Sequence, residues 1–264
     1  MIHLKEIYDY REMIFGLVRR ELRGRYKGSV LGFLWTFINP LLQLIVYTLV
    51  FSVIMRATID QYYLFLFVAL VPWIFFSTCL TGGAGCIVAS QDMVKKIYFP
   101  REVVPIAYAT SAFINMLLTF IVVFVVLIVS GFGVNLVAIL YLPIVMMVEY
   151  FLALGITLLA SACTVYLRDL QYILGIIAMA WQYLTPVLYS SSMVEDQLKD
   201  HKILLYIWNL NPTTPLINAY RQILYYKTIP ELSTLLAAVV LGILVCVIGY
   251  VSFGSLQKGF AEEL

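Results

Sequence analysis

Residues able to do acid–base chemistry are few in this chain and poorly placed for it. Glu149 is the one carboxylate deep inside an apolar run, and such groups commonly serve proton relays. No His, Lys or Arg stands near it in sequence to complete one. Three readings stay open for it: a structural or gating group, a lumen-lining group, or a proton-coupling group. His3 and His201 lie far apart. Cys79, Cys86, Cys163 and Cys246 all sit in apolar runs without a C-x-x-C pair, so they read as buried thiols, and no metal site is expected. The patterns G-x-x-x-x-G-K-[ST], G-x-S-x-G and H-E-x-x-H are absent, so the chain offers no P-loop for ATP and neither hydrolytic centre. An enzyme is not expected, nor a cofactor bound by this chain.

The polar groups that remain are suited to docking and to lining a path. Residues 90–105, SQDMVKKIYFPREVVP, form a charged island between two long apolar runs. Asp92, Lys95, Lys96, Arg101 and Glu102 keep it out of hydrocarbon. Residues 92–97 can wind one to two helical turns before Pro100, which lacks an N–H and restricts Phe99, stops the helix. The spacing predicts a short helix with Met93, Val94, Ile97, Tyr98 and Phe99 exposed at the membrane surface. Such an apolar and basic knob fits a partner; the bland alternative is an ordinary solvated loop. Inside the apolar runs, Thr36, Asn39, Gln43 and Tyr47 share one helical face, as do Gln182, Thr185 and Tyr189, with Ser111, Asn115 and Thr119 as a shorter ladder. Polar stripes are costly against lipid. They act either as hydrogen-bonded glue between helices or as the wall of a polar conduit.

The elements that must position these groups are membrane helices. The chain of 264 residues is 62% hydrophobic and 12% charged, against roughly 25% charged in a soluble domain. Apolar runs at residues 30–55, 62–89, 106–131, 136–165, 172–189 and 234–253 predict six spans, the second and fourth extending past the lipid or bending at Pro72 and Pro143. Residues 4–22 place Leu4, Ile7, Tyr10, Ile14, Leu17, Val18 and Leu22 at helical spacing. That pattern fits an amphipathic helix lying in the interface, or one packed on a partner. Ile203 to Trp208 and Leu216 to Tyr226 are too short to span, and read as interfacial or re-entrant pieces broken by Asn211-Pro212 and Pro215. Tyr62, Tyr63, Tyr189, Tyr206, Tyr220, Tyr225 and Tyr226 mark the outer boundary, as an aromatic belt or as faces for sugar rings.

The expected fold is therefore all-α, one membrane domain over 1–264. It divides into a cytoplasmic helix and basic turn (1–29), spans one to five (30–189), an outer segment (190–233), span six (234–253) and a tail (254–264). Six spans put both termini on one side. Twelve Lys and Arg fall on that side and five on the other, which predicts cytoplasmic termini and a cytoplasmic island. A net charge of +2 calls for no nucleic-acid partner.

Three stretches taken together, RRELRGRYKGSVLGFLWTFINP (19–40), KKIYFPREVVP (95–105) and NPTTPLINAYR (211–221), resemble the permease subunits of ABC-2 type transporters. The nearest likeness is to the branch exporting lipid-linked polysaccharides: O antigen, capsular polysaccharide and teichoic acid. Val71-Pro72-Trp73 and Tyr166-Leu167-Arg168-Asp169 add weaker matches. The resemblance implies a homodimer around a central channel in the bacterial cytoplasmic membrane, with two copies of a separate P-loop ATPase that bind ATP and Mg. It implies that residues 91–104 form the coupling helix, with Gln91, Asp92, Val94, Lys95, Lys96, Ile97, Tyr98, Phe99, Pro100, Arg101 and Glu102 docking on the ATPase, and Arg168 and Asp169 in a second contact. The first and fifth spans would line the channel through Thr36, Asn39, Gln43, Tyr47, Gln182, Thr185 and Tyr189. Arg23, Arg25, Tyr26, Lys27 and Trp35 would form the cytoplasmic entry, where the arginines and Lys27 either attract a pyrophosphate linkage or set topology alone. Asn211, Pro212, Tyr220 and Arg221 would belong to the extracytoplasmic gate. Other readings are an ABC-2 exporter of a drug or small lipid, an ion-coupled secondary flippase, or a multi-pass transferase.

Overall fold

The computed structural model describes residues 4–25, 27–55 and 59–264. It is helical throughout, with no strand among the described residues. Two helices, α1 (Leu4–Asp9) and α2 (Arg11–Gly24), open the chain. The first membrane-length element covers Gly32–Ile54, with α3 (Trp35–Thr48) at its centre and a π-helical end, Leu49–Ile54. Then come α4 (Tyr62–Ala84), α5 (Cys86–Ala89), α6 (Gln91–Lys96) and α7 (Val103–Val129). The fourth apolar run divides into α8 (Leu136–Ile139) and α9 (Leu142–Tyr166), followed by α10 (Leu170–Leu184). The outer segment holds α11 (Ser191–Gln197), α12 (Lys202–Asn209) and α13 (Thr213–Leu224), and the chain closes with α14 (Leu232–Leu256) and α15 (Phe260–Glu263).

Five of these elements are long and apolar enough to cross a membrane. The predicted bends fall elsewhere than expected. Pro72 lies within α4, and the second run breaks at Gly85 instead. Pro143 sits in the first turn of α9, where its missing N–H costs nothing. The fifth predicted span is corrected. Its helix stops at Leu184, because Thr185 precedes Pro186 and is extended, with φ −96° and ψ 139°. The residue before a proline is driven out of the α region, so Thr185 and Tyr189 do not continue the face that carries Gln182.

Glycines fix the register at the centre of the bundle. A Cβ on Gly155 would meet Cys246 Cα at 2.6 Å, one on Gly249 would meet Gly155 O at 2.1 Å, and one on Gly242 would meet Val148 Cγ1 at 3.1 Å. Val148 faces Gly242, Gly155 faces Gly249, and the Tyr166 hydroxyl donates to Leu256 O at 2.7 Å. The matched positions advance together, so α9 and α14 pack in parallel. Chain between two parallel helices must return from one end to the other. A Gly155→Val substitution is expected to cost about 3 kcal/mol or more through overpacking against backbone, read as a lowered thermal midpoint in detergent; Gly175→Val, with open space around it, is its control.

Each end of the bundle has its own cluster of buried side chains. At the island end, Leu17 and Val18 of α2 pack with Val94, Phe99, Val103, Phe253 and Phe260. The amphipathic helix thus covers its own chain, chiefly the start of α7. At the far end, α13 packs into the bundle beside α4, α9 and α14. The two short outer pieces differ: α13 is almost wholly buried, whereas α12 leaves Ile203, Tyr206 and Ile207 exposed. Among the tyrosines expected in a belt, Tyr62 and Tyr220 are buried, with Tyr62 donating to Leu188 O at 2.7 Å.

Candidate functional site

The island is built on a six-residue helix. Asp92 lies in the first turn of α6, and Lys95 and Lys96 in its last, each favourable to the helix dipole; Lys96 and Asp92 approach to 3.8 Å. Ile97 then turns extended. Ile97 and Tyr98 stand out, at 57% and 86% exposed, among the exposed Gln91, Asp92, Lys95 and Lys96. Val94 and Phe99, expected outside, are buried against α2 and the start of α7, with Met93 half-buried. The reason is local: one face of α6 must rest on the bundle, and Phe99 is drawn in beside Val103. Pro100 is half-buried.

Arg101 and Glu102 turn toward the tail. The Arg101 guanidinium donates to Gln257 O and lies over the Phe260 ring, and Gln257 Nε2 donates to Glu102 Oε1 at 2.8 Å. Arg20 donates to Ser90 Oγ at 3.4 Å. Arg168 and Asp169 are exposed just past the end of α9, at the end where Tyr166 meets Leu256. Island, α2, the α9–α10 turn and tail therefore form one face.

Beside that face, α3, α4 and α7 line a half-open cavity of about 460 Å³. Arg25, Ser29, Trp35, Thr36 and Asn39 line it from the first stretch, Thr78 from α4, and Asn115 and Thr119 from α7. The Trp35 indole donates to Ser29 Oγ at 3.0 Å, and Thr119 Oγ1 to Thr36 O at 3.3 Å. Arg23 and Lys27 are exposed but do not line the cavity; Tyr26 lies outside the described residues. Higher on α3, Gln43 Nε2 donates to Asn39 Oδ1 at 3.4 Å, and Gln182 Nε2 of α10 donates to the Tyr47 hydroxyl at 3.3 Å. The two predicted stripes thus meet at one point, Tyr47–Gln182. Ser111 bonds back to Tyr108 O and acts as local helix glue. Thr78 was not anticipated; in sequence it is one of three small hydroxyl residues, with Ser77 and Thr81, near the end of a largely apolar helix.

At the far end, Arg221 is 2% exposed. Its guanidinium donates to Pro186 O at 2.5 Å, Val187 O at 2.7 Å and Tyr189 O at 2.9 Å, with the Phe65 ring 3.6 Å below. Pro186 has freed these carbonyls from helical pairing, and the guanidinium fork satisfies them. Asn211 ties the same strap to α13: Oδ1 accepts from Trp181 Nε1 at 2.9 Å, and Nδ2 donates to Thr185 Oγ1 at 3.0 Å. Thr185 also bonds Thr213 at 2.8 Å, and the Tyr189 hydroxyl donates to Tyr183 O at 2.7 Å. Thr185 is thereby committed to the clamp. Pro212 precedes the first turn of α13. The Tyr220 hydroxyl donates to Glu149 Oε2 at 2.5 Å in the buried interior, so Glu149 faces packed protein.

An exposed knob on a packed base, a polar cavity beside it and a clamped strap opposite suit transport better than chemistry on a bound substrate. Residues 12–225 match the model of the ABC-2 type transporter family. The O-antigen export system permease protein RfbA of Myxococcus xanthus is 36% identical over 265 residues, covering all of both chains. Two proteins of the same description from Klebsiella pneumoniae are 28% and 29% identical, each covering 96% of this chain and 95% of their own length. This multi-pass membrane protein belongs to the ABC-2 type transporter family.

Proposed function

We propose that the chain is the permease subunit of an ATP-driven exporter that moves a lipid-linked polysaccharide, of the undecaprenyl-pyrophosphate type, outward across the bacterial inner membrane. The observation that carries this reading is the end-to-end similarity to an O-antigen export permease. Two copies pair around a channel, and two P-loop ATPase subunits bind ATP and Mg below them. The excess of basic residues at the island end supports cytoplasmic termini. Parallel packing of α9 and α14 supports a sixth crossing. Helix α10 supplies about 22 Å of it, and the strap held by Arg221 the remainder, its bare backbone covered by protein. The short outer helices α12 and α13 form the extracytoplasmic gate with Asn211, Pro212, Tyr220 and Arg221.

ATP closure in the partner pushes on residues 91–98 and on Arg168 and Asp169, and the bundle transmits the movement to the channel wall. Arg101 and Glu102 join that lever to the tail. Deleting the gene tests the reading: undecaprenyl-linked polymer is expected to accumulate inside the cell, and surface polymer to return with the wild-type gene. Unaltered surface polymer in the deletion strain would end the proposal. Glu149→Gln is expected to keep export within about twofold, because a carboxamide oxygen still accepts from Tyr220. Loss of export in that variant, together with collapse of transport when the proton gradient is dissipated, would favour ion coupling instead.

A further inference from the structure

The segment that follows α14 has no role in the proposed export cycle, yet its side chains are built into the island end. Gln257–Gly259 form a single tight turn leading into α15. On one side, the Gln257 carbonyl accepts from the Arg101 guanidinium, and Gln257 Nε2 donates to Glu102 Oε1 at 2.8 Å. Glu102 is only 9% exposed, so its carboxylate is turned away from solvent. On the other side, the Tyr166 hydroxyl donates to Leu256 O at 2.7 Å, and the Tyr166 ring lies 6.2 Å from that of Phe260. Gly259 leaves the space for that hydroxyl, since a Cβ there would come within 2.5 Å of it. Phe260 is fully buried between these contacts, with the Arg101 guanidinium 5.7 Å from its ring centre and the Phe253 ring edge-on at 5.6 Å.

We propose that Gln257 is a positioning residue, with Phe260 as its packed base, and that the tail yokes residues 91–98 and Arg168–Asp169 into one rigid body. Neither segment holds its own place. The island helix has six residues, too few to be stable alone, and Arg168 and Asp169 lie in an exposed turn just after Tyr166. The tail grips the anchored end of each, Arg101 and Glu102 behind the island and Tyr166 behind the turn. A push on either is shared with the other and passed to α14, which the tail continues. From α14 it enters α9 where Gly155 packs against Gly249, and interiors packed this closely transmit strain. Without the yoke, the island would yield against the ATPase while the bundle stayed still. Arg101 and Glu102 are reassigned by this reading. The family resemblance implied a place for them on the ATPase, whereas their hydrogen bonds run to the tail.

This inference rests on the exporter reading, and the test keeps the two apart. Permease–ATPase complexes in proteoliposomes, loaded with lipid-linked polymer from the deletion strain, are assayed for ATPase affinity and for polymer moved per ATP hydrolysed. Gln257→Leu removes the donor to Glu102. It is expected to lower polymer moved per ATP about tenfold, the factor carried by one hydrogen bond to a charged group, with ATPase affinity within about twofold of wild type. Glu102→Gln keeps an acceptor for Gln257 and is expected to stay within about twofold in both measurements. A short thiol-to-thiol linker joining Glu102→Cys to Gln257→Cys is expected to restore the ratio that the unlinked pair loses. The linked pair also decides the matter if Gln257→Leu fails to assemble. An unchanged ratio in Gln257→Leu, whatever its thermal midpoint, would reduce the tail to packing and overturn the inference. Weakened ATPase binding by Glu102→Gln would place that carboxylate on the partner and overturn it as well. So would a linker that stops export, since tail and island would then have to separate. If the wild-type complex moves no polymer with ATP, the exporter reading falls and the yoke with it; if wild type and Gln257→Leu move it equally, only the yoke falls.

Discussion

Arg221→Met is expected to lower the stability of the protein by about 3 kcal/mol or more and to abolish transport. Three carbonyls, those of Pro186, Val187 and Tyr189, lose their donor at once, and each unsatisfied buried acceptor costs about 1–3 kcal/mol. The Phe65 ring loses its cation, a further loss of up to about 2 kcal/mol in a desolvated setting. Water cannot stand in cheaply, because the site is closed: Arg221, Val187 and Phe65 are all buried. For a chain of this size the thermal midpoint should fall by roughly 6–12 °C. Arg221→Lys gives the finer result. A lysine keeps the charge but has no planar fork, so it can serve one or two carbonyls and should recover only part of the loss. Limited proteolysis provides the local readout, with cleavage rising first between Thr185 and Ser190. A midpoint within about 1 °C of wild type for Arg221→Met would show that the strap does not depend on the guanidinium.

This clamp marks where the sequence ceased to be informative. Long apolar runs and the position of the charged island are local properties, and they were readable because hydrocarbon tolerates few alternatives. By its charge alone Arg221 was one more basic residue of the 190–233 segment, and only the family resemblance placed it in a gate. Its role depends on Pro186, distant in sequence, having bared the carbonyls it binds. Helix α10 was misjudged for the same reason: a run of apolar residues from 172 to 189 fits a span by composition, and only the Thr185-Pro186 step ends it early. The cavity was half legible. Thr36, Asn39, Asn115 and Thr119 stood out as stripes, but which stripes would share a space depends on the tilt of α3 against α7. The inward turn of Val94 and Phe99 was not legible, since six residues of helix have too little periodicity to identify a buried face.

The contrast between Val94 and Tyr98, four residues apart on one segment, yields the second large effect. Tyr98→Asp is expected to leave folding intact and to uncouple the transporter. Tyr98 is 86% exposed, and its ring makes no contact the bundle needs; exposed substitutions of this kind stay within about 0.5 kcal/mol of wild type. An exposed tyrosine beside Ile97, Lys95 and Lys96 has the composition of an interface anchor, and removing such an anchor costs about 2 kcal/mol or more of binding, which is roughly thirtyfold in affinity. The expected result is a permease that inserts and melts normally, co-purifies poorly with the ATPase, and supports less than about a tenth of wild-type export. Val94→Asp should behave in the opposite order. It buries an unpaired carboxylate among Leu17, Val103 and Phe260, at a cost of several kcal/mol, so the protein is lost from the membrane before coupling can be measured. If Tyr98→Asp instead lowers the melting point as Val94→Asp does, the segment is part of the packed core, and force from the partner must enter elsewhere. If Tyr98→Asp melts, binds the ATPase and exports like wild type, the exposed knob is a solvated loop, and the contact belongs to Arg168 and Asp169 alone.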